Sequence, residues 1–200
     1  MTNRHKVFIS FHSKDNWYKD QLVKYNAISN MFDDYSVGPG DISDELSDEQ
    51  IRKKIRDDFI RDATVLILLC GNETKNRKFI DWELHAAMFD TEKNPKMGIV
   101  VINLPTINQY CRAITEEEKE LISPNSQWET IEKRTEYENC YPYMPSRLIE
   151  NFCKGAPISV VNWDRICMHP NILKDMIDIA FKRRKEAKYD ISTPLRRRNS

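Results

Sequence analysis

Glu83 is the residue of this sequence whose surroundings best suit chemistry. It stands in VLILLCGNETKNRKFIDWELHAAM, residues 65–88. The segment opens with six apolar residues, Val65 to Cys70, a run expected of a strand buried on both faces. Gly71 and Asn72 break the run, a polar loop carries Thr74 and Arg77, and a helix is expected to begin near Phe79 or Ile80. Ile80, Leu84, Ala87 and Met88 then share one helical face, with Glu83 at its margin. Spacing alone favours a solvated flank residue. A working acid is the alternative, and a lone carboxylate near aromatic and hydroxyl groups suits chemistry at a sugar's anomeric carbon. There it stabilises a developing oxocarbenium ion or accepts a ribose hydroxyl. An aromatic residue can stack on a base, and an arginine such as Arg77 can meet a pyrophosphate bidentately. Against this, Phe11 and Trp82 fit a core, and Arg77 fits the surface of a loop.

Other chemistries lack their residues. No GxGxxG follows the first expected strand, and no GxxxxGK[ST] or GxSxG occurs. The four histidines form no HExxH spacing. The five cysteines (Cys70, Cys111, Cys140, Cys153 and Cys167) are scattered without a CxxC pair, so neither a zinc site nor a disulfide frame is supported. No metal is expected. Thirty-one Lys and Arg balance thirty-one Asp and Glu, and a net charge of zero argues against a general nucleic-acid binder. With 40% hydrophobic and 31% charged residues, no apolar run of membrane-spanning length and no signal-peptide pattern at MTNRHKVFIS, the expectation is a cytoplasmic globular protein without a membrane segment.

The elements that must position Glu83 can be read in order. Lys6–Phe11 is the first expected strand, followed by a helix through about Asn30, with Ser13 or Asp15 as candidate caps. A short second strand is expected over Asp33–Val37, and Gly38-Pro39-Gly40-Asp41 forces a loop. Ser47 to Gln50 has capping-box form and opens a helix ending near Asp62. After Val65–Cys70 and the Glu83 helix come a strand over Met97–Leu104, a last strand over Pro157–Trp163 and a final helix opened by His169-Pro170. Residues 105–155 fit no ordered pattern beyond a short helix near 115–121. The alternation predicts an α/β fold: a five-stranded, mostly parallel sheet with helices on both faces. Such sheets bind ligands beyond the carboxyl ends of their strands, so Phe11, His12, Thr74 and Glu83 are expected near one crevice. Residues 1–187 are read as a single domain elaborated at about 105–155. Residues 188–200 are read as a flexible basic tail, since Lys182–Ser200 holds eight Lys or Arg against two acids.

Two blocks carry a family resemblance. Val7-Phe8-Ile9-Ser10-Phe11-His12-Ser13-Lys14-Asp15 resembles the opening box of bacterial TIR-like proteins, a strand ending in Ser-Phe-His and followed by Asp. Gly71 to Leu84, GNETKNRKFIDWEL, is similar to the stretch in which Gly, Thr and Arg precede an aromatic residue and Glu stands on the third helix. The group most similar in both boxes is the TIR-like component of Thoeris-type antiphage defence. The resemblance implies a flavodoxin-like TIR fold across roughly residues 5–104 and cleavage of the nicotinamide–ribose bond of NAD. NAD would then be a substrate, with no cofactor required. The ADP-ribose part would be cyclised, hydrolysed or passed to an acceptor, giving a nucleotide signal for a downstream effector.

By the same resemblance Glu83 is the catalytic residue, expected to be ionised at working pH. Phe11 and His12 match the segment lining the nicotinamide-ribose side, with Ser10 and Asp15 in the same box. Thr74, Arg77 and Trp82 fall in the second. Self-association and a phage-derived trigger are further partners to expect, and the loop Ser36–Glu45 carries no family signature. Two other readings stay open. One is a non-catalytic TIR-like interaction module, because fold does not dictate function. The other is a nucleoside deoxyribosyltransferase-like enzyme, which also sets a carboxylate at an anomeric carbon.

Overall fold

Six consecutive apolar residues leave a strand no polar face, so Val65–Cys70 must be covered on both sides. The computed structural model describes residues 4–36, 47–92, 94–124, 126, 128 and 130–199, and in it all six residues are buried. Among the described residues the strands are β1 (His5–Ser10), β2 (Phe32–Asp34), β3 (Val65–Cys70), β4 (Gly98–Asn103) and β5 (Ser159–Asn162). They form one parallel sheet in the order β2-β1-β3-β4-β5. Ser10 lies beside Leu68, Cys70 beside Asn103, and Asn103 beside Asn162, which lines up the carboxyl ends. The helices are α1 (Asn16–Ser29), α2 (Asp48–Lys54, continued by a wider turn Ile55–Ile60), α3 (Lys78–Met88), α4 (Glu116–Ile122), α5 (Arg134–Cys140), α6 (Ser146–Cys153), α7 (Trp163–Met168) and α8 (Asn171–Arg183).

Successive strand residues point to opposite faces, and the core divides accordingly. Phe8, Leu66, Leu68, Cys70, Ile99, Val101 and Val160 pack with side chains of α2, α3 and α6. Val7, Ile9, Val65, Ile67, Leu69, Val100, Ile102 and Val161 pack with α1, α7 and α8. Each large apolar side chain so buried contributes about 1.5–3 kcal/mol, so these two layers outweigh any single polar contact in holding the sheet. α8 approaches β4 closely at Gly98, where a Cβ would lie 2.3 Å from the carbonyl oxygen of Ala180. The obstacle is backbone and cannot rotate away. Gly98→Ala is therefore expected to lower stability by roughly 1–3 kcal/mol, toward the upper end, read as a lower urea midpoint.

The structure differs from the sequence reading in four places. β2 stops at Asp34, whose Oδ1 accepts the Ser36 amide at 2.9 Å and turns the chain. Residues 37–46, most of the expected loop, lie outside the described residues. β5 ends at Asn162 and a short helix, α7, begins at Trp163, before the helix opened at His169-Pro170. Region 105–155 holds the short helix expected near 115–121, which is α4 with a capping box between Thr115 and Glu118, and also α5 and α6, which were not expected. Finally, the segment expected as a flexible tail has a defined path. Tyr189 donates its hydroxyl to the Met97 carbonyl at 3.0 Å, and Asp190 exchanges backbone bonds with the Asn151 side chain at 2.9 and 3.0 Å. Ile191 and Leu195 pack on the core, and the chain then runs along α3. Basic composition had suggested a solvated end, but two apolar residues and the main-chain bonds decide its course.

Candidate active site

Ser10 follows Phe8 by two positions on β1, so its side chain points to the face covered by α3. There its hydroxyl donates to Glu83 Oε2 at 2.6 Å. Ser10 is buried and Glu83 partly so, and the Glu83 carboxylate is enclosed deeply enough that lost hydration governs its acidity. Burial pushes its pKa up from 4.5 to about 7, against the opposing pull of the Ser10 hydroxyl. Whether the carboxylate is ionised, as expected from the sequence, therefore depends on the pH at which the protein works, the ionised share growing as the pH rises through about 7.

A second group of residues assembles beside the strand ends. His12 caps the short helical turn Ser13–Asp15, its Nδ1 accepting the Lys14 amide at 3.2 Å, which leaves the proton of the neutral ring on Nε2. Burial lowers its pKa, and the nearby Arg77 lowers it further, so the ring is neutral at pH 7. Lys14 binds Glu73 at 3.0 Å, and Glu73 in turn binds the guanidinium of Arg77, whose Nε also donates to the Glu73 carbonyl at 3.2 Å. These pairs knit the segment after β1 to the segment after β3.

Asp15 does not cap α1 through its side chain; it is buried against Gly71, where a Cβ would stand 2.7 Å from Asp15 Oδ2. A larger residue at position 71 would have to displace the Asp15 carboxylate. Burial, and then the charge of Glu73, hold the Asp15 pKa above its ordinary value. Thr74 is fully buried and shapes the same turn, its Oγ1 accepting the Gly71 amide at 2.9 Å. Phe11 is partly buried and packs against the α1, α7 and α8 side of the core.

Trp82 is placed elsewhere. Its ring packs edge-on against Phe79 and under the guanidinium of Arg52, and its Nε1 donates to the Arg196 carbonyl at 2.9 Å. It lines a cavity of about 370 Å³ with α2 residues and Leu195, a cavity that none of Ser10, Phe11, His12 or Glu83 borders. Its helical position, one residue before Glu83, turns it about 100° away from the carboxylate. At the other end of the strand tips, Gln109 Nε2 donates to Asn103 Oδ1 at 2.5 Å and reaches Cys70 Sγ at 3.5 Å. Beyond them Gln109, Asn162 and residues of 108–141 enclose a cavity of about 730 Å³. Burial pushes the Cys70 thiol up to about 12, leaving it inert.

A family model described as "Thoeris protein ThsB, TIR-like domain" matches residues 8–109. The chain belongs to the Thoeris ThsB TIR-like family. The matched span of this ThsB-type domain contains every residue of both boxes from Ser10 to Glu83. Its strand order, 2-1-3-4-5, is that of flavodoxin-like folds, in which the topological switch between β1 and β3 is the ligand crevice. Among solved structures, one titled "Structure of the activated Roq1 resistosome directly recognizing the pathogen effector XopQ (TIR domains)" is 13% identical, covering 88% of this chain and 84% of that chain with a TM-score of 0.36. No curated protein matches the sequence. Among the described residues, no helix is long and apolar enough to cross a membrane, and no group of three His, Cys, Asp or Glu side chains could hold a metal ion.

The ThsB-type sequence by itself gives no place to Glu73, which pairs both Lys14 and Arg77. Its signal was present, since a glutamate four residues before an arginine is a recurrent pairing. The Asp81–Arg147 pair and the Asn103–Gln109 amides are hidden for a different reason. Asp81 and Arg147 are 66 positions apart, on α3 and α6, and Asn103 and Gln109, only six apart, meet through the turn that follows β4, which no periodic pattern marks.

Proposed function

We propose that this ThsB-type domain cleaves the nicotinamide–ribose bond of NAD and converts the ADP-ribose part into a signalling nucleotide in antiphage immunity. The observation that carries the reading is the Glu83 carboxylate, enclosed at the β1–β3 switch point and aligned by Ser10. In this reaction the bond between C1 of the ribose and the pyridinium nitrogen breaks. Its electron pair leaves with nicotinamide, which departs neutral, and positive charge develops at C1 and the ring oxygen. The ionised Glu83 carboxylate lies against that charge in a poorly hydrated site, where an electrostatic contact is stronger than in water. The Ser10 hydroxyl fixes the carboxylate's orientation. Water, a hydroxyl or ring nitrogen of the same molecule, or a separate acceptor then bonds to C1 and releases a proton to solvent, giving ADP-ribose, a cyclic isomer or a conjugate. In this reading the family resemblance assigns His12 and Phe11 to the nicotinamide-ribose part, and the Arg77–Glu73–Lys14 chain, which ties the segment after β1 to the segment after β3, supports the loops beside them. NAD is consumed as a substrate, and a downstream effector receives the product.

Mass spectrometry of NAD incubated with the purified chain and its trigger tests the reading. Release of nicotinamide together with an ADP-ribose-derived nucleotide is expected. Release of a free base from a nucleoside with NAD untouched would select the deoxyribosyltransferase chemistry instead. If neither reaction occurs while Glu83→Gln still supports signalling, the domain works as an interaction module.

The same geometry sets a pH dependence. Because the ionised form of Glu83 is the active one, kcat is expected to rise through about pH 7 and level off above it. Below that point it should fall by about tenfold per pH unit. A rate that instead fell as the pH rose through 7 would assign Glu83 the role of proton donor.

A further inference from the structure

The segment following α8 grips α3 at the residues next to Glu83. Arg196 holds the two preceding positions with its main chain: its amide donates to Asp81 Oδ2 at 2.9 Å, and its carbonyl accepts Trp82 Nε1 at 2.9 Å. At the first turn of α3, Asn199 Oδ1 accepts the Lys78 amide at 2.8 Å. Leu195 packs on the apolar layer that includes Trp82 and Leu84. From the far side Arg147 of α6, fully buried, donates to both oxygens of Asp81 at 2.8 and 3.1 Å. Side chains two residues apart on a helix diverge by about 200°, so Asp81 lies on the side of α3 turned away from Glu83. α3 is thus fixed from behind while Glu83 meets Ser10 in front. A helix of eleven residues has little stability of its own and depends on what packs against it.

We propose that residues 189–199, together with the Asp81–Arg147 pair, form a positioning clamp that keeps the Glu83 carboxylate against Ser10. The residues of the clamp act through α3 and are positioning residues. The inference rests on Glu83 being the working carboxylate, but its test does not require turnover.

Two variants of the full chain loosen the clamp without touching the sheet: Arg196→Pro, which removes the amide that Asp81 accepts, and the double variant Leu195→Ala with Asn199→Ala. Three readouts are compared with wild type: hydrogen exchange of the α3 amides against those of β3 and β4, the carbon-13 NMR titration of Glu83 assigned with Glu83→Gln, and kcat and KM for NAD. The clamp predicts exchange in α3 at least about tenfold faster with β3 and β4 unchanged. It predicts that Glu83 titrates below its wild-type value as water gains access, since burial raises that value by more than the Ser10 bond lowers it. It also predicts a lower kcat at constant KM. Unchanged α3 exchange and Glu83 titration in both variants would overturn the clamp, and so would faster exchange spread equally over β3 and β4. If wild type leaves NAD intact while exchange and titration shift as expected, the clamp stands and the proposed reaction falls. If NAD is cleaved but neither readout shifts, the reverse holds.

Discussion

Glu83→Gln is expected to cut turnover by roughly a hundredfold or more, the scale on which one electrostatic stabiliser is lost. The variant should stay folded. Glutamine keeps an acceptor for the Ser10 hydroxyl and nearly the same volume, so neither the 2.6 Å contact nor the packing of α3 has to change. Above neutral pH it should be more stable than wild type. The sign follows from linkage: the folded protein holds the Glu83 proton up to about pH 7, whereas the unfolded chain releases it near 4.5. Burial of Glu83 therefore favours the folded state below pH 4.5 and loses that advantage as the pH rises through 7. At pH 8 the shift corresponds to about 3 kcal/mol at most, and less once water penetration is allowed for. A melting temperature several degrees above wild type at pH 8, converging near pH 4.5, is the expected result. A melting temperature lowered in step with activity would assign Glu83 a structural role.

Arg147→Leu is expected to have the largest effect on stability. Arg147 is fully buried, and its partner Asp81 has a side chain only 7% exposed. Removing the guanidinium takes away both bonds from Arg147 and leaves a buried carboxylate that, among the described residues, still accepts the Arg196 amide. Breaking a buried pair in this way costs about 3–5 kcal/mol, which lowers the melting temperature by roughly 10 °C in a chain of this size. The double replacement Asp81→Leu with Arg147→Leu should recover most of that loss. Arg147 Nη1 has no hydrogen-bond partner among the described residues, so the pair is incompletely satisfied and an apolar substitute gives up little. A full double-mutant cycle in urea separates the two costs. Equal loss in the single and double variants would show that the pair contributes net stability of its own.

The sheet was legible in the sequence because its strands are buried on both faces. Val65–Cys70 and Gly98–Asn103 carry apolar residues almost throughout, and their spacing around the Glu83 helix fixes a parallel order. Glu83 itself was not legible from spacing, which could not tell a flank residue from one enclosed at a strand end. The paired boxes supplied its candidacy, and the alternation along β1, which turns Ser10 toward α3, supplies the contact. Its acidity could not be read from sequence at all, since it depends on how completely the strand tips and α3 shed water. The terminal segment misled for a related reason. Its charge is visible residue by residue, but the bonds that hold it are made by main-chain groups of Arg196 and by partners over a hundred positions away. Within residues 105–155 only α4 was expected, near 115–121, and α5 and α6 gave no periodic pattern because they are seven and eight residues long.

The most direct test of the central claim is release of nicotinamide from ring-labelled NAD by wild type and by Glu83→Gln, under the same activating conditions and with matched circular dichroism. The account predicts steady release by the wild type and release reduced by about a hundredfold or more in the variant, with both proteins folded. Equal release by the two folded proteins would contradict it.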